Sequence, residues 1–435
     1  MENMNNKRII GKDLWISNDD LTSGYNNNDL IVGGSGSGKT GGYVIPNIKN
    51  ANSNLLVTDT KSQLVKKLRG DLERKGYTVK VIDFANPEKS MSYNPIEYIR
   101  VREVKEDYVK YSSKDIVSLA RILVPSRIKH DPFWEESART VVSFLIAFTL
   151  EAFVEGDHSM VTVAELYHML QDELGVEKMK VWCMENPDSY AARKFHMFES
   201  VMSVDKTWAC IMQFVAEAIE PFDFEEADDI FAVPTSRENA VSILDLCDDR
   251  TVVFLNVSDI DRYADVLVSL IYAQAFQILF EEAEKMPNGR LKTPVRFILD
   301  DFASSVYIDN FDKIISVIRS RNISVSVILQ SLSQLDALYT KGQANTIITN
   351  CDHLLYLRGQ DINTASYIGH RSNKTEDNVM LMPAGKAYFI ERGKRGILID
   401  RVPPYEEKNL AYDSIFDEDE LIFGEDLDFS EDMPF

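Results

Sequence analysis

The sequence lacks paired cysteines and clustered histidines. Its four cysteines include no C-x-x-C pair, and its six histidines are dispersed along the 435 residues. Scattered thiols are typical of reduced cytosolic proteins, in which cysteine packs as a small hydrophobic residue. This pattern excludes a disulfide framework and a cysteine-rich zinc knuckle, and it argues against a metal site built from histidine ligands.

The sequence also lacks a long hydrophobic run. Residues 1–10 contain no apolar stretch of signal-peptide length, which argues against secretion. The apolar segments 140–150 and 266–280 are shorter than the roughly 20 residues that a membrane-spanning helix needs. Both segments are bounded by charged residues, and we predict that they form core helices.

An excess of basic charge is missing as well. The chain has 47 Lys and Arg against 69 Asp and Glu, a net charge of −22. Ten of the acidic residues lie between Asp413 and Asp432, a stretch without a basic residue, so −12 remains for the rest of the chain. A broadly basic nucleic-acid-binding surface is therefore excluded, and any DNA contact must be confined to a small patch or channel.

What is present is a chain too long for one average core, with 45% hydrophobic and 27% charged residues. Alternating strand and helix patterns run from Asp29 to Asp83 and resume at Thr251, which is typical of a doubly wound α/β sheet. Helical spacing dominates between them. We predict a nucleotide-binding domain in two parts, 1–104 and 245–404, an all-helical insertion at 105–244, and a disordered acidic tail at 405–435.

One short stretch organises the chain. It matches the phosphate-binding pattern G-x-x-x-x-G-K-[ST], follows an apolar strand and precedes a predicted helix. Its residues are Gly33, Gly34, Ser35, Gly36, Ser37, Gly38, Lys39 and Thr40. Glycines let backbone N–H groups turn inward around a phosphate, Lys39 can reach the β and γ oxygens, and the Thr40 hydroxyl suits Mg²⁺.

Two later strands end in polar residues that suit the same chemistry. Asp300 and Asp301 follow a predicted strand with four apolar residues, Val295 to Leu299, and Gln330 follows the next predicted strand. We expect Asp300 to hold Mg²⁺ together with Thr40, and Asp301 to polarise the attacking water. Gln330 either senses the γ-phosphate or caps the helix that follows it.

The motifs together resemble the TraG/TraD-type coupling proteins of conjugative type IV secretion. The resemblance covers residues 28–404 in motif order, and it rests on the phosphate loop and on the following segments: Val57-Thr-Asp-Thr-Lys61, Tyr93-Asn-Pro95, Asp131-Pro-Phe-Trp134, Leu299-Asp-Asp-Phe-Ala303, Arg319-Ser-Arg-Asn-Ile323 and Leu329-Gln-Ser-Leu-Ser-Gln-Leu335. The family's Asp-Glu pair appears here as Asp300-Asp301. Its Asp-Pro-Lys-Gly-Glu loop appears as Asp59-Thr-Lys-Ser-Gln63.

The resemblance implies a RecA-like P-loop ATPase with ATP and Mg²⁺ as cofactors, six subunits around a central channel, and relaxase-bound single-stranded DNA as substrate. Its partners would be relaxosome proteins and components of the type IV secretion channel. It also implies that Arg319 acts at the subunit boundary, with Arg321 as the competing candidate. Family members usually carry an N-terminal transmembrane pair, whereas this loop begins at residue 33, so we expect a soluble or truncated member.

Three functions remain open from the sequence. The first is a cytoplasmic, ring-forming ATPase, recruited to the inner face of the membrane, that drives nucleoprotein into a conjugative channel. The second is a recruiter of effector proteins that moves no DNA. The third is a scaffold that binds ATP but hydrolyses it negligibly, because Asp301 has a shorter side chain than glutamate.

Overall fold

The computed structural model describes residues 6–60, 62–104, 108–126, 132–248, 250–258, 264–302 and 307–403. The predicted acidic tail lies outside these residues, as do Lys61, Asp131 and Ala303 of the quoted motifs.

Thirteen strands occur in the described part of the chain. They are β1 (Lys7–Gly11), β2 (Leu14–Ser17), β3 (Asp29–Val32), β4 (Asn54–Asp59), β5 (Thr78–Asp83), β6 (Val101–Val104), β7 (Val109–Tyr111), β8 (Thr251–Asn256), β9 (Val295–Leu299), β10 (Ile323–Leu329), β11 (His353–Tyr356), β12 (Lys386–Glu391) and β13 (Ile397–Asp400).

The helices of the same residues are numbered separately. They are α1 (Asp20–Ser23), α2 (Ile45–Lys49), α3 (Leu64–Arg74), α4 (Ser113–Leu123), α5 (Phe133–Ala152), α6 (Met160–Leu170), α7 (Glu173–Glu185), α8 (Tyr190–Met202), α9 (Asp205–Ile219), α10 (Ala227–Phe231), α11 (Ala264–Lys285), α12 (Phe311–Val317), α13 (Ser333–Leu338), α14 (Lys341–Thr349), α15 (Ile362–Ser372) and α16 (Glu376–Met380).

A sheet of nine described strands forms the centre of the fold, in the order β13-β12-β11-β3-β10-β9-β4-β8-β5. The seven strands from β11 to β5 pair in parallel, and β12 and β13 add an antiparallel edge. The central strands are continuous buried runs because helices cover both faces of a parallel sheet. All seven parallel strands therefore end at one edge, here called the carboxyl edge.

Two apolar cores lie on the two faces of this sheet. The smaller core packs α2 and α3 against the sheet, through residues such as Ile48 and Leu68. The larger core continues from the opposite face into helices α4 to α10, where Phe144 contacts Phe195 and Phe198 with ring centroids 5.4 Å apart. Between residues 105 and 244 the described chain consists of these helices, the short strand β7 and short 3₁₀ turns.

Helix α11 is the one described helix that is long and apolar enough to cross a membrane, at 22 residues. The apolar segment 266–280 forms the middle of this helix, and charged residues lie near both of its ends. Most of its apolar side chains are nevertheless buried, and Leu267, Ile271 and Phe276 lie in the larger core. This packing agrees with the prediction of a core helix.

Several other elements differ from the sequence prediction. Helix α7 was missed, because Leu174, Val181 and Met184 are exposed and blur its apolar periodicity. Residues 11–28, which show no helix or strand periodicity in the sequence, contain β2, which pairs with β1, and the short helix α1. The phosphate loop is followed by a π-helical turn, Thr40–Val44, before α2 begins.

Candidate functional site

The candidate site lies at the carboxyl edge, where neighbouring parallel strands deliver their following residues. The phosphate loop follows β3, Gln330 follows β10, and Asp300 and Asp301 follow β9. Because β3, β10 and β9 are adjacent in the sheet, these residues meet although up to 270 positions separate strands β3 and β9. The fold thus assembles one polar site from three separate motifs.

The loop backbone requires its glycines. Gly36 and Gly38 have φ angles of 69° and 89°, in the left-handed region that side chains disfavour. A Cβ on Gly33 would lie 2.4 Å from the Ser37 hydroxyl oxygen and 3.0 Å from Leu357 Cβ, so the Ser37 side chain would have to move to admit it. The loop conformation is therefore determined by residues that leave its inner surface free of side chains.

Lys39 and Thr40 point their polar groups into this site. The Lys39 ammonium donates hydrogen bonds to the carbonyl oxygens of Gly33, at 2.7 Å, and Gly34, at 3.2 Å. The Thr40 hydroxyl lies 3.4 Å from Asp300 Oδ2 and donates to it. A cation and a hydroxyl–carboxylate pair consequently flank the same loop.

Asp300 is buried, with 7% of its surface exposed. Burial, followed by repulsion from Asp301, raises the pKa of its carboxyl to about 6, although Lys39 and the Thr40 hydroxyl partly offset the rise. A cation placed against this carboxylate would relieve the cost of ionising it. The site therefore favours a bound positive charge at Asp300.

Asp301 takes a strained backbone conformation, with a φ angle of 52°. Its carboxylate accepts a hydrogen bond from the Gln330 side-chain amide, at 3.1 Å to Oδ1, and the amide lies 3.4 Å from Oδ2. Gln330 therefore holds the Asp301 carboxylate from the neighbouring strand, a contact that neither of its two predicted roles includes.

A buried ionic network anchors the segment that follows the loop. The Tyr43 hydroxyl in the π-helical turn donates to Asp29 Oδ2 at 2.6 Å, and Arg8 Nε also donates to this oxygen, at 2.7 Å. Burial alone would raise the pKa of Asp29, but Arg8, His353 and Arg296 outweigh it and hold the pKa far below its usual range. Asp29 thus remains a buried anion at the start of β3, bonded to the turn that follows the loop.

Arg319 lies away from these groups in the same chain. It precedes β10, so it occupies the opposite edge of the sheet, where its Nη2 donates to the Asp20 carbonyl at 2.8 Å. Its side chain is 40% exposed, and its Nε lies 3.5 Å from Asp20 Oδ2. The competitor Arg321 instead lies over the Phe280 ring at 4.5 Å.

Sequence reasoning missed a further contact to the loop. Arg401, just after β13, donates from Nη1 to the Ser37 carbonyl at 2.5 Å. No motif signals this contact, because it depends on an antiparallel edge that brings residue 401 back beside residue 37. Asp59, by contrast, accepts from the Leu64 N–H at 2.6 Å and so satisfies an amide in the first turn of α3.

The residues present fit a magnesium nucleotide. No group of three or more His, Cys, Asp or Glu that could enclose a metal exists among the described residues. Mg²⁺ commonly takes one or two protein oxygens and completes its shell with phosphate oxygens and water. Thr40 and Asp300 offer such oxygens beside a glycine-lined loop and Lys39.

The parallel sheet and its glycine loop define an α/β protein of the P-loop class. Comparison with known families is more specific: the chain belongs to the family described as type IV secretory system conjugative DNA transfer, whose model matches residues 1–402.

Individual relatives agree with this assignment. The chain is 23% identical over 358 residues to the protein VirD4 of Rhizobium rhizogenes, covering 82% of this chain and 50% of that protein. It is 23% identical over 351 residues to VirD4 of Agrobacterium fabrum, covering 80% of this chain and again 50% of the relative. The chain therefore spans about half the length of the curated relatives it matches.

The fold also matches a solved structure. The bacterial conjugative coupling protein TrwBdeltaN70, in its trigonal form with sulphate, superposes with a TM-score of 0.63 at 14% identity. The match covers 87% of this chain and 85% of that one. At this identity, the likeness supports the architecture alone.

Proposed function

We propose that this chain is an ATP-hydrolysing coupling protein that drives relaxase-bound single-stranded DNA into a conjugative type IV secretion channel. One observation carries the proposal: Lys39, Thr40, Asp300, Asp301 and Gln330 converge at one edge of a parallel sheet. Membership of a conjugative DNA-transfer family supports DNA as the transported substrate.

Each residue has a role in this proposal. The loop amides and Lys39 bind the β- and γ-phosphates, and Thr40 and Asp300 hold Mg²⁺, which would neutralise phosphate charge when bound. Asp301 orients and deprotonates the attacking water, and Gln330 fixes the direction of the Asp301 carboxylate. The Asp301 side chain is short, so its carboxylate has few positions from which it can reach the water. The hydrogen bond from Gln330 selects one of these positions.

A solved relative supports the choice of ligand. The plasmid coupling protein TrwB, with a TM-score of 0.62 at 14% identity, has been observed in complex with ADP and Mg²⁺. We assign the same ligand class to this chain, on the strength of its own loop and of the Thr40–Asp300 pair.

The proposed organisation extends beyond the single chain. We assign residues 1–104 and 245–404 to a RecA-like ATPase domain, residues 105–244 to an inserted helical domain, and residues 405–435 to a tail that recruits partners. Six copies form a ring at the inner face of the membrane, beside the secretion channel. In that ring, Arg319 reaches the nucleotide of the neighbouring subunit. It cannot reach the nucleotide of its own chain, because it lies at the opposite edge of the sheet.

Steady-state ATP hydrolysis with and without single-stranded DNA tests the proposal. The native chain should hydrolyse ATP faster when DNA is added, and Lys39→Ala should abolish hydrolysis because the phosphates lose their principal cation. An ATP hydrolysis rate that does not change when DNA is added would favour the recruiter of effector proteins. ATP binding without hydrolysis would favour the scaffold. Near-normal turnover by Lys39→Ala would overturn the site itself.

A further inference from the structure

Arg358, which follows β11, has the most unusual backbone conformation near the candidate site. Its φ angle is 90°, far into the region that residues with a Cβ rarely adopt. Such outliers persist only where the surrounding structure holds them, and they concentrate at binding and catalytic sites. The neighbouring residue is a glycine, Gly359, yet the strained position is occupied by an arginine.

The surroundings show what holds this backbone. Strand β11 lies beside β3, with Tyr356 opposite Val32, so the chain continues directly alongside the phosphate loop. The Gly34 N–H donates to the Arg358 carbonyl at 2.8 Å. The Tyr356 hydroxyl donates to the Gly359 carbonyl at 3.2 Å. These two bonds fix the Arg358 peptide against the second residue of the loop.

The same segment also approaches the Asp301 side of the site. A Cβ on Gly359 would lie 3.5 Å from the Gly34 nitrogen and 3.9 Å from the Gln330 carbonyl oxygen. Gln330 in turn contacts Asp301, the carboxylate assigned to the attacking water. The Arg358–Gly359 segment therefore lies close to both the phosphate loop and the strand end that carries Gln330.

The Arg358 side chain is exposed and makes no hydrogen bond or ion pair with any described residue. Most arginines near the sheet edges are already engaged, as Arg401 is with the Ser37 carbonyl. Because the Arg358 peptide is bonded to Gly34 of the phosphate loop, an uncommitted guanidinium on this residue is suited to a ligand of the loop. A guanidinium binds phosphate oxygens in a planar, forked geometry that lysine cannot reproduce.

We infer that Arg358 is a nucleotide-binding residue of this site and that its guanidinium contacts the terminal phosphate of a bound nucleoside triphosphate. The inference rests on the proposed function and extends it, because it predicts how the site distinguishes the triphosphate from the diphosphate. The additional phosphate carries the charge that Arg358 would neutralise in cis, whereas Arg319 would act from a neighbouring subunit.

Equilibrium binding of a non-hydrolysable ATP analogue and of ADP, both with Mg²⁺, tests this role without relying on turnover. Arg358→Gly suits the left-handed backbone and keeps the carbonyl that binds Gly34, so it removes only the side chain. We expect it to weaken binding of the analogue by about 10- to 100-fold, the value of a charge-assisted hydrogen bond, and to leave ADP affinity within about twofold. The affinity of Arg358→Lys for the analogue should lie between that of the native chain and that of Arg358→Gly.

Arg395→Ala is the matched control. Arg395 is exposed in the turn between β12 and β13 at the opposite edge of the sheet, and its removal changes the net charge equally. It should alter neither affinity. Equal weakening of both nucleotides by Arg358→Gly, or no weakening of either, would overturn the role of Arg358. If the native chain bound neither nucleotide, the proposed function itself would fail.

Discussion

At the scale of single residues, the site combines burial with charge in a way that costs stability. Asp300 is buried beside a second carboxylate, and its pKa is raised from 3.8 to about 6. Above pH 6 the Asp300 carboxyl is ionised in both states, and ionising it costs more free energy in the folded chain than in the unfolded chain. The cost develops as pH rises from about 4 to about 6 and is fully present at neutral pH.

Asp300→Asn should therefore stabilise the ligand-free protein at pH 7.5, by on the order of 2 to 3 kcal/mol from the size of the pKa shift. The gain should shrink as pH falls from 6 towards 4, where aspartate becomes neutral as well. Thermal unfolding across this pH range measures the effect. The same variant should bind ADP with little dependence on Mg²⁺, because a metal-binding oxygen is lost.

Asp188→Asn is a suitable control, since Asp188 is exposed between α7 and α8 and should show no such pH-dependent gain. A loss of stability in Asp300→Asn at pH 7.5 would contradict the assigned cost of this carboxylate.

At the scale of elements, the loop depends on a hydrogen bond between the turn that follows it and the strand that precedes it. Tyr43 in the π-helical turn donates to Asp29 at the start of β3, and its hydroxyl also lies 2.9 Å from Ser326 Oγ on β10. π-Helical turns are commonly found at functional sites. This network sets the direction in which Thr40 and Lys39 leave the loop.

Tyr43→Phe should destabilise the fold by about 1 to 3 kcal/mol, the cost of leaving a buried acceptor without one of its donors. It should also weaken nucleotide binding several-fold, because the turn that carries Thr40 is less firmly held.

Tyr77→Phe is the matched control: the Tyr77 hydroxyl is also buried and donates to the Ala51 carbonyl at 3.0 Å, but away from the loop. It should lower stability without changing affinity. Equal effects of the two variants on affinity would refute the positioning role.

The elements that could be predicted from the sequence share a simple cause. Strands such as β4 and β9 are mostly apolar and are followed or ended by carboxylates, so their burial and their polar ends could both be predicted from the sequence. Helix α7 was not predicted, because its exposed apolar residues conceal the buried face. Contacts made through strand order, such as Arg401 with Ser37, leave no local signal.

For the site, the loop and the carboxylates could be predicted because their backbone and metal chemistry restrict the residue types. The Asp301–Gln330 hydrogen bond and the strained Arg358 could not, since they depend on which strands are neighbours. The buried anion at Asp29 was also not predicted. Its partners Arg8, Arg296 and His353 come from three distant segments.

At the scale of the whole molecule, the two functional groups of the proposed composite site lie at opposite edges of one sheet. Lys39 lies at the carboxyl edge, and Arg319 lies before β10 at the other, held by Asp20. Such an arrangement is productive only if a second copy presents its Arg319 edge to the first copy's loop. An arginine supplied by a neighbouring subunit can raise phosphoryl-transfer rates by roughly 10³ to 10⁵.

The action of Arg319 on a neighbouring subunit is tested most directly by ATP hydrolysis in mixed assemblies of two inactive variants, Lys39→Ala and Arg319→Ala. Each should be inactive alone, because every site lacks either the loop cation or the arginine of the neighbouring subunit. When the two are co-assembled, some sites pair an intact loop with an intact Arg319, and partial hydrolysis should return. Arg321→Ala in place of Arg319→Ala should remain active by itself. Absence of recovery in assemblies shown to contain both variants would exclude a role of Arg319 at the neighbouring subunit's site.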